Sequence, residues 1–177
     1  KYTDQFEASC LNGRINRYHK AKDGKGIFIF DRGIIEGAET FCKNSFLEGY
    51  LSHAGYDNYI RNVKKGLDDL DRTDQQLWLE QVVVYFRMDN ILELHQRQQG
   101  RKTSGELIPL SYLQRLHERY EEFFQNIQAV YASYGIRTPR VLTIDASINF
   151  HHDQQYHERT LNTLLEELHK DVEDRKV

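Results

Sequence analysis

The sequence predicts an α/β fold, a parallel β-sheet flanked by helices. Three observations carry that expectation. Three short apolar runs, Gly26–Phe30 (GIFIF), Gln81–Phe86 (QVVVYF) and Arg140–Ile144 (RVLTI), are rich in β-branched and aromatic residues and nearly continuous. That is the pattern of strands covered on both faces. Helix-period segments separate the runs, and strands alternating with helices imply parallel pairing. Only two prolines, Pro109 and Pro139, occur in 177 residues, so long helices run with little interruption.

The helical segments follow in order. Asp4–His19 carries a helical pattern that Gly13 weakens. Glu36–Ser52 and Tyr56–Leu70 read as an antiparallel helical pair joined near Gly55, with Phe46, Leu47, Tyr50, Tyr59, Ile60 and Val63 as packing stripes. Asn90–Gln99 is helical. The longest helix is predicted from Leu110 to about Tyr134, with apolar stations at Leu113, Leu116, Tyr120, Phe123, Ile127, Val130 and Tyr134. Pro109 suits its first turn and Gly135 its stop. A final helix covers roughly Tyr156–Val172. Three strands make a narrow sheet for so many helices, and a further strand or two is expected on the N-terminal side.

The length suits one domain with a real core. Hydrophobic residues make up 39% and charged residues 29%, with a formal net charge of −3. That balance does not advertise nucleic-acid or anionic-membrane binding. No apolar run approaches a membrane span. Cys10 and Cys42 form no CxxC pair, which argues against zinc or a disulfide framework and for a reducing intracellular compartment.

In open parallel sheets, ligands bind beyond the carboxyl ends of the strands. Those ends read Asp31-Arg32-Gly33, Arg87-Met88-Asp89 and Asp145-Ala146-Ser147. A carboxylate can hold Mg²⁺, and arginine forks onto phosphate oxygens, so the set suits phosphoryl transfer. An Asp–Arg pair capping a strand is the plainer use of the same residues. The stretch from Gln96 to Glu106 (QRQQGRKTSGE) is polar and basic, with two glycines as hinges. It could close over a polyphosphate or serve only as a solvated loop. His151, His152, Asp153 and His157 are irregularly spaced and read as a solvated turn. Trp78 reads as packing.

Directly after the basic loop, LIPLSYLQRLHERYEEFF (Leu107–Phe124) resembles the segment that follows the arginine-rich lid in the deoxyribonucleoside kinase family. Asp31-Arg32-Gly33 is similar to that family's strand ending in Glu/Asp-Arg-Ser. Ile144-Asp145-Ala146-Ser147-Ile148-Asn149-Phe150 resembles its adenine-side strand and loop. The matches fall in the family's order across roughly residues 5 to 170, and they imply a P-loop NTPase-type, nucleoside-kinase-like fold in a single domain over 1–177, with a lid at about 97–106.

The resemblance implies roles residue by residue. Asp31 would serve the Mg²⁺ shell and Arg32 the 5′-hydroxyl and the transferring phosphoryl group. Gly33 stands where the family usually has Ser. Phe41, ten residues after the motif acid, would stack on the nucleobase. Gly37, at a position that varies with substrate in the family, leaves room for a thymine methyl and leans the reading towards pyrimidines. Gln5 would read the base and Arg14 would be its pocket partner, although the Phe/Gln order is reversed and one residue is inserted. Arg97 and Arg101 match two lid arginines, with Lys102 a partial substitute where Gln99 replaces another. Glu106 matches the acid that binds the 3′-hydroxyl. Asp145 and Asn149 would lie near the base of ATP.

No glycine among the 11 opens a GxxxxGK[ST] loop. The P-loop, first strand and general base of the family all precede its base-binding helix, and they are expected upstream of Lys1. This chain by itself is then expected to be inactive. The resulting expectation is a deoxyribonucleoside kinase using ATP or another nucleoside triphosphate with Mg²⁺, working in nucleotide salvage in the cytoplasm or mitochondrion. It is expected to bind no nucleic acid or membrane and to form a homodimer through helices at about 36–70. A non-catalytic relative, such as a respiratory complex I accessory subunit, and a thymidylate kinase are the alternatives.

Overall fold

The computed structural model describes residues 2–22, 24, 26–70, 80–100, 108–148 and 153–173. Trp78, Arg101, Lys102, Glu106, Asn149, His151 and His152 lie outside the described residues. The chain divides into two compact units, Lys1–Leu79 with Ser111–Thr138, and Glu80–Leu110 with Pro139–Val177.

The first unit is helical. Helix α1 (Tyr2–Lys22) buries Glu7, Leu11, Arg14, Tyr18 and Ala21. Their spacing of three or four residues marks one helix face, and two of the five are charged. Helix α2 (Ile34–Gly37) runs through a π-turn (Ala38–Cys42) into α3 (Lys43–Leu47). The expected straight helix from Glu36 to Ser52 is thus a composite, and such π-turns collect at functional sites. Helix α4 (His53–Leu70) buries Tyr59, Val63, Gly66, Leu67 and Leu70. Gly66 is where α4 meets α1, because a Cβ there would collide with the Ile15 side chain. Leu11, Tyr18, Ile34, Ile35, Ala38, Val63, Phe123, Ile127 and Tyr131 belong to one continuous core.

In the second unit, β1 (Val82–Arg87) pairs in parallel with β2 (Arg140–Asp145), in register from Val82 opposite Arg140 to Arg87 opposite Asp145. Helix α5 (Ile91–Gly100) follows β1 and is capped by the Asn90 side chain, which accepts from the Glu93 amide at 3.2 Å. The expected 25-residue helix is two: α6 (Leu110–Gln125) and α7 (Ile127–Ser133), both but for Leu110 in the first unit. The break is at Asn126, whose side chain turns back to donate to the Glu122 carbonyl at 2.8 Å. Helix α8 (Gln154–Glu173) closes the second unit, where the Arg140 guanidinium donates to the Glu167 carbonyl at 2.7 Å.

The expected strand Gly26–Phe30 is not a strand. Ile27 is 64% and Ile29 90% exposed, and Gly26 sits at φ +125°. A strand needs a neighbour to take its backbone hydrogen bonds, and among the described residues the ladder joins only β1 and β2. Only Phe30 is anchored, stacked on Tyr18 with ring centroids 4.4 Å apart.

Candidate functional site

In the first unit, the Asp31-Arg32-Gly33 turn leaves Phe30 and enters α2. Arg32 has φ +70°, the left-handed region that costs a side-chain-bearing residue, and no other non-glycine among the described residues adopts it. Glu36 holds the turn there. One carboxylate oxygen accepts from the Gly33 amide at 3.2 Å, and the other accepts from the Tyr120 hydroxyl at 2.6 Å. Burial, followed by the negative charge of Glu36, pushes the Tyr120 phenol far above its ordinary pKa of 10.0. The phenol therefore stays a donor.

Phe41 lies in the π-turn, half-buried. Tyr120 meets its ring edge-on at a centroid distance of 6.0 Å. The Arg32 guanidinium carbon lies over the ring, 3.8 Å from its centroid. The structure therefore brings two of the residues expected to act together, Arg32 and Phe41, into direct contact. Asp31, on the same turn, is exposed.

Arg14 is 7% exposed and donates to the Tyr59 hydroxyl at 3.3 Å. Its guanidinium occupies the space above Gly37, where an added Cβ would meet a terminal nitrogen at 2.5 Å. The vacancy expected for a thymine methyl is thus filled by Arg14 in this structure. Gln5 is exposed. The inward position belongs to Glu7, 5% exposed, which accepts from the Ser45 hydroxyl at 3.0 Å. Burial raises the Glu7 carboxyl above its usual 4.5, against the Ser45 hydrogen bond and the Arg14 charge. Asn44 on α3 is 1% exposed and its side chain faces the Tyr112 hydroxyl. Sequence reading passed over Glu7. The available signal was the seven-residue spacing to Arg14, two helical turns on one face.

In the second unit, Arg97 does not reach into open space. It donates to the carbonyls of Ala146 at 2.7 Å and Ser147 at 2.5 Å, and pairs with Glu93 at 2.5 Å. It ties α5 to the loop after β2. Asp145 opens that loop; the Ser147 hydroxyl, followed by the Ser147 amide that donates to it at 2.8 Å, holds its carboxyl below the usual 3.8. The Asp145 carbonyl accepts from the Tyr156 hydroxyl at 2.5 Å. A cavity of about 230 Å³ between β2 and α8 is lined by Asp145, Tyr156 and Arg159 among others.

The fold, a parallel two-stranded sheet in a helix-rich chain, is that of the P-loop NTPase-type nucleoside kinases. The family model for deoxynucleoside kinase matches residues 1–170, and the chain belongs to that family. Among solved structures it is similar to deoxyadenosine kinase from M. mycoides with bound dATP, at 25% identity and a TM-score of 0.65 over 90% of this chain and 72% of that one. The same enzyme with bound dCTP gives 21% identity and a TM-score of 0.63, over 93% and 74%. No curated protein sequence matches the chain. The protein is a phosphotransferase of the nucleoside kinase type.

Proposed function

We propose that the protein transfers the γ-phosphoryl group of ATP, or of another nucleoside triphosphate, to the 5′-hydroxyl of a deoxyribonucleoside in nucleotide salvage. One observation carries this most: the guanidinium of a strained Asp-Arg-Gly turn, clamped by Glu36, lies over the face of Phe41. An aromatic face accepts any base. A nearby arginine with a fixed charge and a long stem can meet the other end of the same nucleoside, where negative charge spreads over the transferring phosphoryl oxygens.

Asp31 is the residue of this unit that would hold Mg²⁺. Among the described residues no group of three or more His, Cys, Asp or Glu side chains gathers. One carboxylate with water and phosphate oxygens completing the shell is the usual arrangement for this ion, so the residues fit it, and the ion would offset charge on the phosphates. Arg32 would orient the 5′-oxygen and the phosphoryl group, and Phe41 would hold the base. Arg97 would act on the donor side by fixing the loop from Asp145 to Ser147, with Arg101, Glu106 and Asn149 completing the lid and donor contacts.

The reading leans towards a pyrimidine acceptor on Arg14, which lies above Gly37 and can donate to a base carbonyl oxygen. The neighbour's dATP and dCTP are both nucleotides and support a nucleotide donor without choosing a base. A homodimer through the helices at 36–70 completes the reading.

The test, on full-length protein, is phosphorylation of thymidine, deoxycytidine, deoxyadenosine and deoxyguanosine with labelled ATP and Mg²⁺. Thymidine or deoxycytidine should turn over fastest, and Arg32→Ala should reduce turnover at least ~100-fold, the scale of losing one transition-state donor. Transfer undiminished in Arg32→Ala would remove Arg32 from the chemistry.

A further inference from the structure

We propose that Arg32 parks on Phe41 while the acceptor site is empty, and that the arriving nucleobase displaces it from the ring and so frees it for the phosphoryl group. This deepens the reading above and rests on Phe41 being the base platform.

The geometry leaves one ring face for two ligands. The guanidinium carbon lies 3.8 Å from the Phe41 centroid, which is the thickness of one stacked layer. A planar base on that face would need the same layer. Arg32 is exposed and Phe41 half-buried, so the guanidinium layer over the ring is itself open to solvent. Tyr120 packs perpendicular to the ring, and its hydroxyl is committed to Glu36. The ring therefore has little freedom to turn away and offer the base another surface.

The root of Arg32 is equally constrained. Its backbone is held at φ +70° by a turn whose next amide is bonded to Glu36. What remains free is the side chain, which pivots about a fixed Cα. Among the described residues the guanidinium has no ion pair or hydrogen bond that would pin it, only the ring. An exposed guanidinium over a half-buried ring is held by about 1 kcal/mol, whereas a base stacked on an aromatic is held by about 1–3 kcal/mol. Binding of a base therefore shifts the side chain away, and the shift costs the base part of its stacking energy.

Coupling of this kind separates binding from turnover. With no side chain to displace, a deoxynucleoside should bind Arg32→Ala more tightly than wild type, roughly two- to five-fold, the equivalent of the cation–π contact it no longer breaks. Turnover of the same variant should collapse. A residue that merely held the site together would lose both.

The experiment is calorimetric titration of the protein, without phosphate donor, with each of the four deoxynucleosides. Wild type, Arg32→Ala, Phe41→Ala and the double variant are compared. The proposal expects tighter binding in Arg32→Ala, about ten-fold weaker binding in Phe41→Ala, and no gain from Arg32→Ala once Phe41 is gone. A second readout needs no variant: the Arg32 side-chain NMR signals should carry a ring-current shift in the free protein and lose it at saturating deoxynucleoside. Unchanged or weaker binding in Arg32→Ala, alongside weakened binding in Phe41→Ala, overturns the parking while sparing the platform. Binding indifferent to Phe41→Ala, or no binding of any deoxynucleoside, overturns the platform itself. An Arg32 signal that stays ring-shifted at saturation also overturns the proposal.

Discussion

The Tyr120 hydroxyl donates a 2.6 Å hydrogen bond to Glu36, and through that carboxylate α6 governs the turn that carries Arg32. Tyr120 also braces Phe41. One residue from a distant part of the chain thus supports both the turn that carries Arg32 and the ring of Phe41.

Tyr120→Phe keeps the ring and removes the hydroxyl's hydrogen bonds, to Glu36 and with Thr40. It should lower unfolding stability by about 1.5–3 kcal/mol and raise the KM for the deoxynucleoside, both read against wild type by denaturant melts and steady-state kinetics. The same variant has a pH signature. Because the folded pKa is raised, the folded state keeps its phenolic proton when the unfolded chain loses it. The contribution is present below pH 10.0 and falls as pH rises beyond that. Tyr120→Phe should therefore show a shallower alkaline loss of stability.

Glu7 should leave an acid-side signature of the same sign. Burial raises its carboxyl above 4.5, so the folded protein holds this proton more tightly than the unfolded chain. That stabilisation is complete below pH 4.5 and lost as pH climbs through the raised value. Relative to Glu7→Gln, which stays neutral and can still accept from Ser45, wild type should lose stability as pH rises out of the acid range. Parallel melting-temperature profiles for the two proteins would disprove it.

Gly37 separates stability from specificity. An alanine there gains up to about 1 kcal/mol of helix propensity but must move the tip of Arg14, which costs the bond to Tyr59, also about 1 kcal/mol. The net change in stability should be within about 1 kcal/mol. The order of preference among the four deoxynucleosides should change by several-fold, because Arg14 is expelled to a new position. Competition assays with paired substrates would measure this.

Arg97→Lys keeps the charge and loses the fork that spans Ala146 and Ser147. Amide exchange at Ala146 and Ser147 should quicken, and the KM for ATP should rise several-fold with a smaller change in kcat. Overall stability should fall by only about 1 kcal/mol, since the group is partly exposed to water. A loss confined to kcat would instead place Arg97 on the phosphates.

Much of this was legible in the residues. The helices α1, α4, α5 and α8 and the strands β1 and β2 came close to their expected bounds, because helical period and β-branched runs are local properties of the chain. The breaks at Asn126 and in the π-turn were not legible, since each depends on how a helix is forced to pack. Gly26–Phe30 misled for the same reason: five apolar residues look like a strand, but a ladder needs a second backbone.

By itself, the sequence determined the order of elements, the membership of the deoxynucleoside kinase family, and the pairing of an Asp-Arg-Gly turn with Phe41 ten residues on. Only the tertiary structure decided that Glu7 rather than Gln5 faces inward, that Arg14 fills the space above Gly37, and that Arg32 rests on Phe41. Spacing along a helix tells which residues share a face. Which face is buried, and what a long charged side chain leans on there, is set by partners dozens of residues away.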